Sequence, residues 1–125
     1  MKPPKKIHLN RAEKTLRVIF ADAEYTLPAE YLRVFSPSAE VRGHGAGEGV
    51  LVSGKIHVGI DRVEASGRYA VRLIFDDGHD TGIYTWGYLR ELGENHATNW
   101  NDYLQRLQKA GKGRDPDESP VKIIS

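Results

Sequence analysis

The chain has 125 residues, 39% of them hydrophobic and 28% charged, the composition of one globular domain that folds without staples. Its 18 basic and 17 acidic side chains leave a formal charge of +1, too even a balance for a general nucleic-acid or membrane-surface binder. The absence of cysteine excludes disulfides, thiolate metal sites and cysteine nucleophiles, and with no membrane-length apolar run and no signal-like segment the expected location is the cytoplasm.

Short apolar runs at 7–9 and 16–20, joined by polar residues 10–14, predict a β-hairpin. A turn at Asp22-Ala23 leads to a strand over 24–27. Pro28 opens a helix with Glu30 in its first turn and Tyr31, Leu32, Val34 and Phe35 on its apolar face. Ser36-Pro37 ends it, because the residue before proline disfavours helical geometry. Over 42–52, Gly43, Gly45, Gly47 and Gly49 weaken any regular element and predict a flexible loop. No lysine-serine or lysine-threonine pair follows, so it is not a phosphate loop.

A strand is predicted at 56–64, a turn at Ser66-Gly67 and the strongest strand at 69–75. Asp77-Gly78 signals a tight turn, and 81–86 is the partner strand. Residues 86–93 predict a short helix closed by Gly93. Thr98 is the expected N-cap of a last helix, with Trp100, Tyr103, Leu104 and Leu107 as its buried face and Gly111 as its end. Residues 113–120 are polar with two prolines and predict a disordered tail, tipped by the apolar residues 121–124. The fold expected is α+β: a small antiparallel β-sheet domain of about five or six short strands with two or three short helices, folded over 1–110 with a tail over 111–125.

His79 stands among the carboxylates of Asp76, Asp77 and Asp80. It reads as a weak metal or anion-responsive site or partner contact, or as a histidine that bonds locally and shapes the turn. Glu40 and His44 join it only if the glycine loop folds back, while His57 sits on a predicted strand and His8 and His96 look like surface or edge residues. Tyr84, Trp86 and Tyr88 read as core or strand–helix junction, or as a partner hot spot. Asp77, His44, Tyr84 and Trp86 form the candidate binding surface. No nucleophile elbow, metalloprotease motif or arguable Ser/His/Asp triad is present, so no enzyme is expected.

Three stretches carry a family resemblance: LRVFSPSAE (32–40), VEASGRYAVRL (63–73) and IFDDGHDTGIYTW (74–86), the last followed by Tyr88-Leu89. They resemble the domain of unknown function (DUF971) at the N-terminus of gamma-butyrobetaine hydroxylases, over about residues 5 to 110. Similar domains occur as free-standing bacterial proteins and fused to P-loop ATPases implicated in iron–sulfur cluster assembly. The resemblance implies a small zinc module held by three cysteines, C-x-C-x-x-C, and one histidine. Here Ser36, Ser38 and Val41 stand at the cysteine positions and His79 at the histidine position. Structural zinc needs four good ligands, so no cofactor is expected. The oxygenase barrel with its two histidines and one carboxylate does not fit in this length.

The resemblance therefore implies a non-catalytic binding or adaptor module linked to iron–sulfur cluster handling, with an iron–sulfur assembly ATPase or an oxygenase as protein partner. The alternatives are a weak metal-binding protein through His79, Asp76 and Asp80, and an accessory subunit of a separate 2-oxoglutarate/iron oxygenase.

Overall fold

A computed structural model describes residues 2–42 and 49–117. β1 (Lys6–Asn10), β2 (Thr15–Ile19) and β3 (Glu24–Pro28) form one antiparallel sheet in that order. Its register sets Ile7 beside Val18 and Val18 beside Tyr25, and Leu9 beside Leu16 and Leu16 beside Leu27. Alternation sends these six side chains to one face and leaves Lys6, His8, Arg17 and Thr26 exposed on the other. β4 (Ile60–Ser66), β5 (Ala70–Phe75) and β6 (Gly82–Thr85) form a second antiparallel sheet, with Val71 opposite Tyr84 and Leu73 opposite Gly82.

The inner faces of the two sheets share one core with α1 (Ala29–Val34) and α3 (Trp86–Glu94). Leu16, Val18, Leu27, Leu32, Leu73 and Leu89 are fully excluded from water in it. α2 (Ala39–Arg42) is a single turn, and α4 (His96–Lys109) is the longest helix. The six strands and the α+β class match the sequence expectation, with the strands divided between two sheets. Two cations of the first hairpin join the sheets: Arg11 Nε donates to the Asp61 carbonyl at 2.8 Å and Lys14 Nζ to the His57 carbonyl at 2.8 Å. Among the described residues, no helix is long and apolar enough to cross a membrane.

Several boundaries differ from the sequence reading. His57 lies in a turn in which the Val58 N–H bonds the Lys55 carbonyl at 3.1 Å, and β4 begins only at Ile60. Gly93 lies inside α3 rather than closing it; a Cβ there would stand 2.6 Å from Tyr25 Cδ1, so the glycine makes room for a ring. Thr98 lies inside α4, and Asn95 is the joint between the two helices. Tyr103 and Leu107 are buried and Trp100 is half-buried, but Leu104 keeps 38% of its surface exposed. Gly111 does end α4, in a left-handed conformation (φ 66°) that lets Lys112 N–H reach the Leu107 carbonyl at 2.9 Å.

The packed chain also runs beyond 110. The Gly113 carbonyl accepts from Gly54 N–H at 2.9 Å and the Arg114 carbonyl from Ile56 N–H at 3.0 Å. Arg114 holds Glu30 with two bonds of 2.9 and 2.7 Å. Of the expected glycine loop, residues 43–48 lie outside the described residues, as do 118–125 with the apolar tip.

Replacing Gly93 by alanine tests the ring contact. Helix propensity alone would reward the change by about 1 kcal/mol. The Tyr25 ring is flanked by neighbours and cannot retreat freely, and overpacking of this kind costs about 1–3 kcal/mol. Gly93→Ala is expected to lower the urea midpoint, with a net loss of up to about 2 kcal/mol; a raised midpoint would contradict the packing argument.

Candidate functional site

The end of α1 is held by tyrosines. The last carbonyls of a helix lack intrahelical donors. Tyr84 on β6 donates its hydroxyl to the Leu32 carbonyl, and Tyr88 on α3 donates to the Phe35 carbonyl at 2.5 Å. Tyr84 is fully buried, and burial pushes its phenol above the ordinary range against a smaller opposite pull from Ser36. Thr85 caps α3 by accepting Tyr88 N–H at 3.1 Å, which fixes the residue that makes the second clamp.

This grip lays residues 36–38 against the β5–β6 loop. Ser36 Oγ and His79 Nε2 stand 2.8 Å apart, with Ser36 1% and His79 6% exposed. Ser38 is also buried, its Oγ 2.7 Å from Thr81 Oγ1 and its N–H donating to Ser36 Oγ at 3.3 Å. Buried Val41 closes the group, its N–H on the Ser38 carbonyl at 3.0 Å. A Cβ at Gly82 would come within 2.6 Å of Ser36 Oγ, so only glycine admits this approach.

The turn bearing His79 is set by Asp77. Its Oδ2 accepts from Arg33 Nε at 2.9 Å and Lys55 Nζ at 2.6 Å, and its Oδ1 from His79 N–H at 3.1 Å. Burial pushes the Asp77 carboxyl up, but Lys55, the His79 N–H and Arg33 together pull harder and hold it at about 2. Among the described residues, Arg33 Nη1 is buried with no hydrogen-bond partner.

The other expected site residues do not converge. Asp76 is exposed beside Gly59, and exposed Asp80 lies 3.7 Å from Arg72. Tyr84 is core, and Trp86 donates its indole N–H to the Arg68 carbonyl at 2.9 Å at the strand–helix junction. His44 and the side chain of Glu40 lie outside the described residues. Among the described residues, no group of three His, Asp or Glu side chains could hold a metal ion. Of the four positions that the resemblance assigns to zinc, Ser36 meets His79, Ser38 bonds Ser36 and Val41 bonds the Ser38 carbonyl, yet their side chains do not fit the ion. The hydroxyls of Ser36 and Ser38 are engaged, and Val41 has no donor atom.

A serine hydroxyl 2.8 Å from an imidazole also has the spacing of a nucleophile and its base. Ser36 is sealed from solvent beneath Gly82, however, so no carbonyl substrate can reach it. No local pattern signals that residues 43 positions apart pair; the family motif alone links them. His96, read as a surface residue, stacks on Tyr31 with ring centres 4.3 Å apart, and desolvation lowers its pKa.

Comparison with known proteins adds the family context. The family model described as "Gamma-butyrobetaine hydroxylase-like, N-terminal" matches residues 7–90. A solution NMR structure of a protein 53% identical covers 100% of this chain and 99% of its own, with a TM-score of 0.84. A second solution structure, 42% identical, covers 100% and 95% with a TM-score of 0.80. A crystal structure of a protein of unknown function from Acidithiobacillus ferrooxidans, of the DUF971 family, is 38% identical. It covers 74% of this chain and 98% of its own, with a TM-score of 0.61. Among curated proteins, none matches.

Two substitutions probe the site. Ser36→Ala removes the partner of a buried imidazole nitrogen and is expected to cost about 1–3 kcal/mol in urea unfolding; a neutral effect would mean that the bond contributes nothing. Asp77 titrates lower in the fold, at about 2, than its ordinary 3.8, so its stabilisation is complete above 3.8 and lost as pH falls towards 2. Asp77→Asn is therefore expected to be less stable than the native chain at neutral pH and to lose less stability over that acid window.

Proposed function

We propose, from the premise that this chain belongs to the gamma-butyrobetaine hydroxylase-like N-terminal domain family, that it is a non-catalytic binding module whose hydrogen bonds do the structural task of the family's zinc. The observation that carries this reading is the buried Ser36–His79 contact at 2.8 Å. It ties the end of α1 to the β5–β6 loop, as a metal bound at those positions would. What such a substitution keeps is a surface shape, and it leaves no open coordination position for chemistry.

The partner class is the P-loop ATPase of iron–sulfur cluster assembly, to which similar domains are fused, and the module works with it in the cytoplasm. Titration calorimetry of the purified chain against such an ATPase, with and without nucleotide, tests this. Saturable micromolar binding is expected; binding to a separate 2-oxoglutarate oxygenase instead would replace this partner with the other.

The zinc replacement has its own test. Zinc added to the native chain is expected to leave the amide spectrum unchanged around His79. A Ser36→Cys/Ser38→Cys/Val41→Cys variant is expected to bind Co²⁺ with thiolate charge-transfer absorption, a reading supported by the contacts of Ser36 with His79 and of Ser38 with Ser36. Zinc shifts in the native protein that vanish in His79→Ala would overturn the metal-free reading.

A further inference from the structure

Two apolar clusters hold the chain. The larger combines both sheets, α1 and α3, and α4 meets it at Tyr31 through His96, Asn99 and Trp100. The smaller is built from Val34, Tyr103 and Leu107, with Phe35, Leu51, Val52 and Trp100 around them. The family match ends at residue 90, before α4 begins. The two solution structures cover the whole chain, α4 included. The two-sheet body holds the larger core cluster, and the family match reaches into α3 but not to α4.

What α4 covers is one side of α1. Trp100 meets Tyr31 edge-on with centres 6.2 Å apart, and Tyr103 meets Phe35 at 6.2 Å. The polar ties lie around these rings. Asn99 donates to the Tyr31 hydroxyl at 3.0 Å, and Tyr103 donates to the Val52 carbonyl at 2.6 Å. Arg114, bonded to Glu30, lies over Trp100 at 5.2 Å. The strap 111–117 thus fastens α4 from its far end through Glu30 and through the backbone of Gly54 and Ile56. Tyr31 also donates its hydroxyl to the Leu92 carbonyl of α3 at 2.7 Å.

We propose that this side of α1, with Leu51 and Val52, is a helix-docking surface that α4 fills in cis, and that α4 and its strap open as one unit while the two-sheet body stays folded. A small cluster closed by rim contacts is the kind of region that opens before the global core. The partner that fits is an amphipathic helix with aromatic and leucine side chains at the spacing of Trp100, Tyr103 and Leu107. The identity of that partner rests on the binding-module reading, whereas the opening of α4 does not, and the two are read separately.

Native-state hydrogen exchange on the full chain in low urea tests the opening. Amides of α4 are expected to exchange roughly tenfold or more faster than those of β5, with a smaller dependence on urea. Exchange at the β5 rate with the same urea slope would overturn the proposal. Tyr103→Ala is expected to speed α4 exchange while leaving β5 unchanged, and equal acceleration of both would also overturn it. An unlabelled peptide of residues 96–117, added to the labelled variant, is expected to shift Tyr31, Val34 and Phe35 saturably. Absence of those shifts would reject the docking surface even if α4 opens. Failure to bind any ATPase would leave all three readouts unaffected.

Discussion

The fold around the site depends on how α1 is stopped. Its terminal carbonyls need donors, and they receive tyrosine hydroxyls from β6 and α3 rather than water. A buried hydrogen bond is worth only about 1 kcal/mol net, but losing one partner costs about 1–3 kcal/mol, so these contacts fix position more than they add stability. With Leu32 and Phe35 held, Ser36 and Ser38 have one place to go, under Gly82 and against His79 and Thr81.

That placement decides what the site can do. A zinc centre and a Ser–His hydrogen bond can both tie two loops together, but they differ in what they leave open. The metal is a Lewis acid with exchangeable ligands, whereas the hydrogen-bonded pair is sealed at 1% and 6% exposure. Asp77 reinforces the closure from below, since both its oxygens serve the turn and α1. The carboxylates around His79 are thus divided in their work: Asp77 is structural, while Asp76 and Asp80 face solvent.

α4 adds a second level to this frame. It packs on Tyr31, Val34 and Phe35 and ties residues 51–56 to the chain that follows it.

By itself the sequence determined the local elements and the family. Alternation and turn chemistry located all six strands to within a few residues, and Pro28, Ser36-Pro37 and Gly111 marked helix ends through backbone constraints that act within one turn. The absence of cysteine at 36, 38 and 41 was equally legible, since it concerns which atoms exist. Tertiary structure alone decided how those elements use each other. Gly93 and Gly82 look like helix end and strand start, yet both are glycine because Tyr25 and Ser36 occupy the space of a Cβ. Arg114 looks like tail, yet it is fixed by Glu30, 84 positions away. The division of the strands into two sheets, and the meeting of Ser36 with His79, likewise depend on contacts between distant segments. No local pattern encodes these, because their free energy comes from burial and pairing that exist only after the chain has closed.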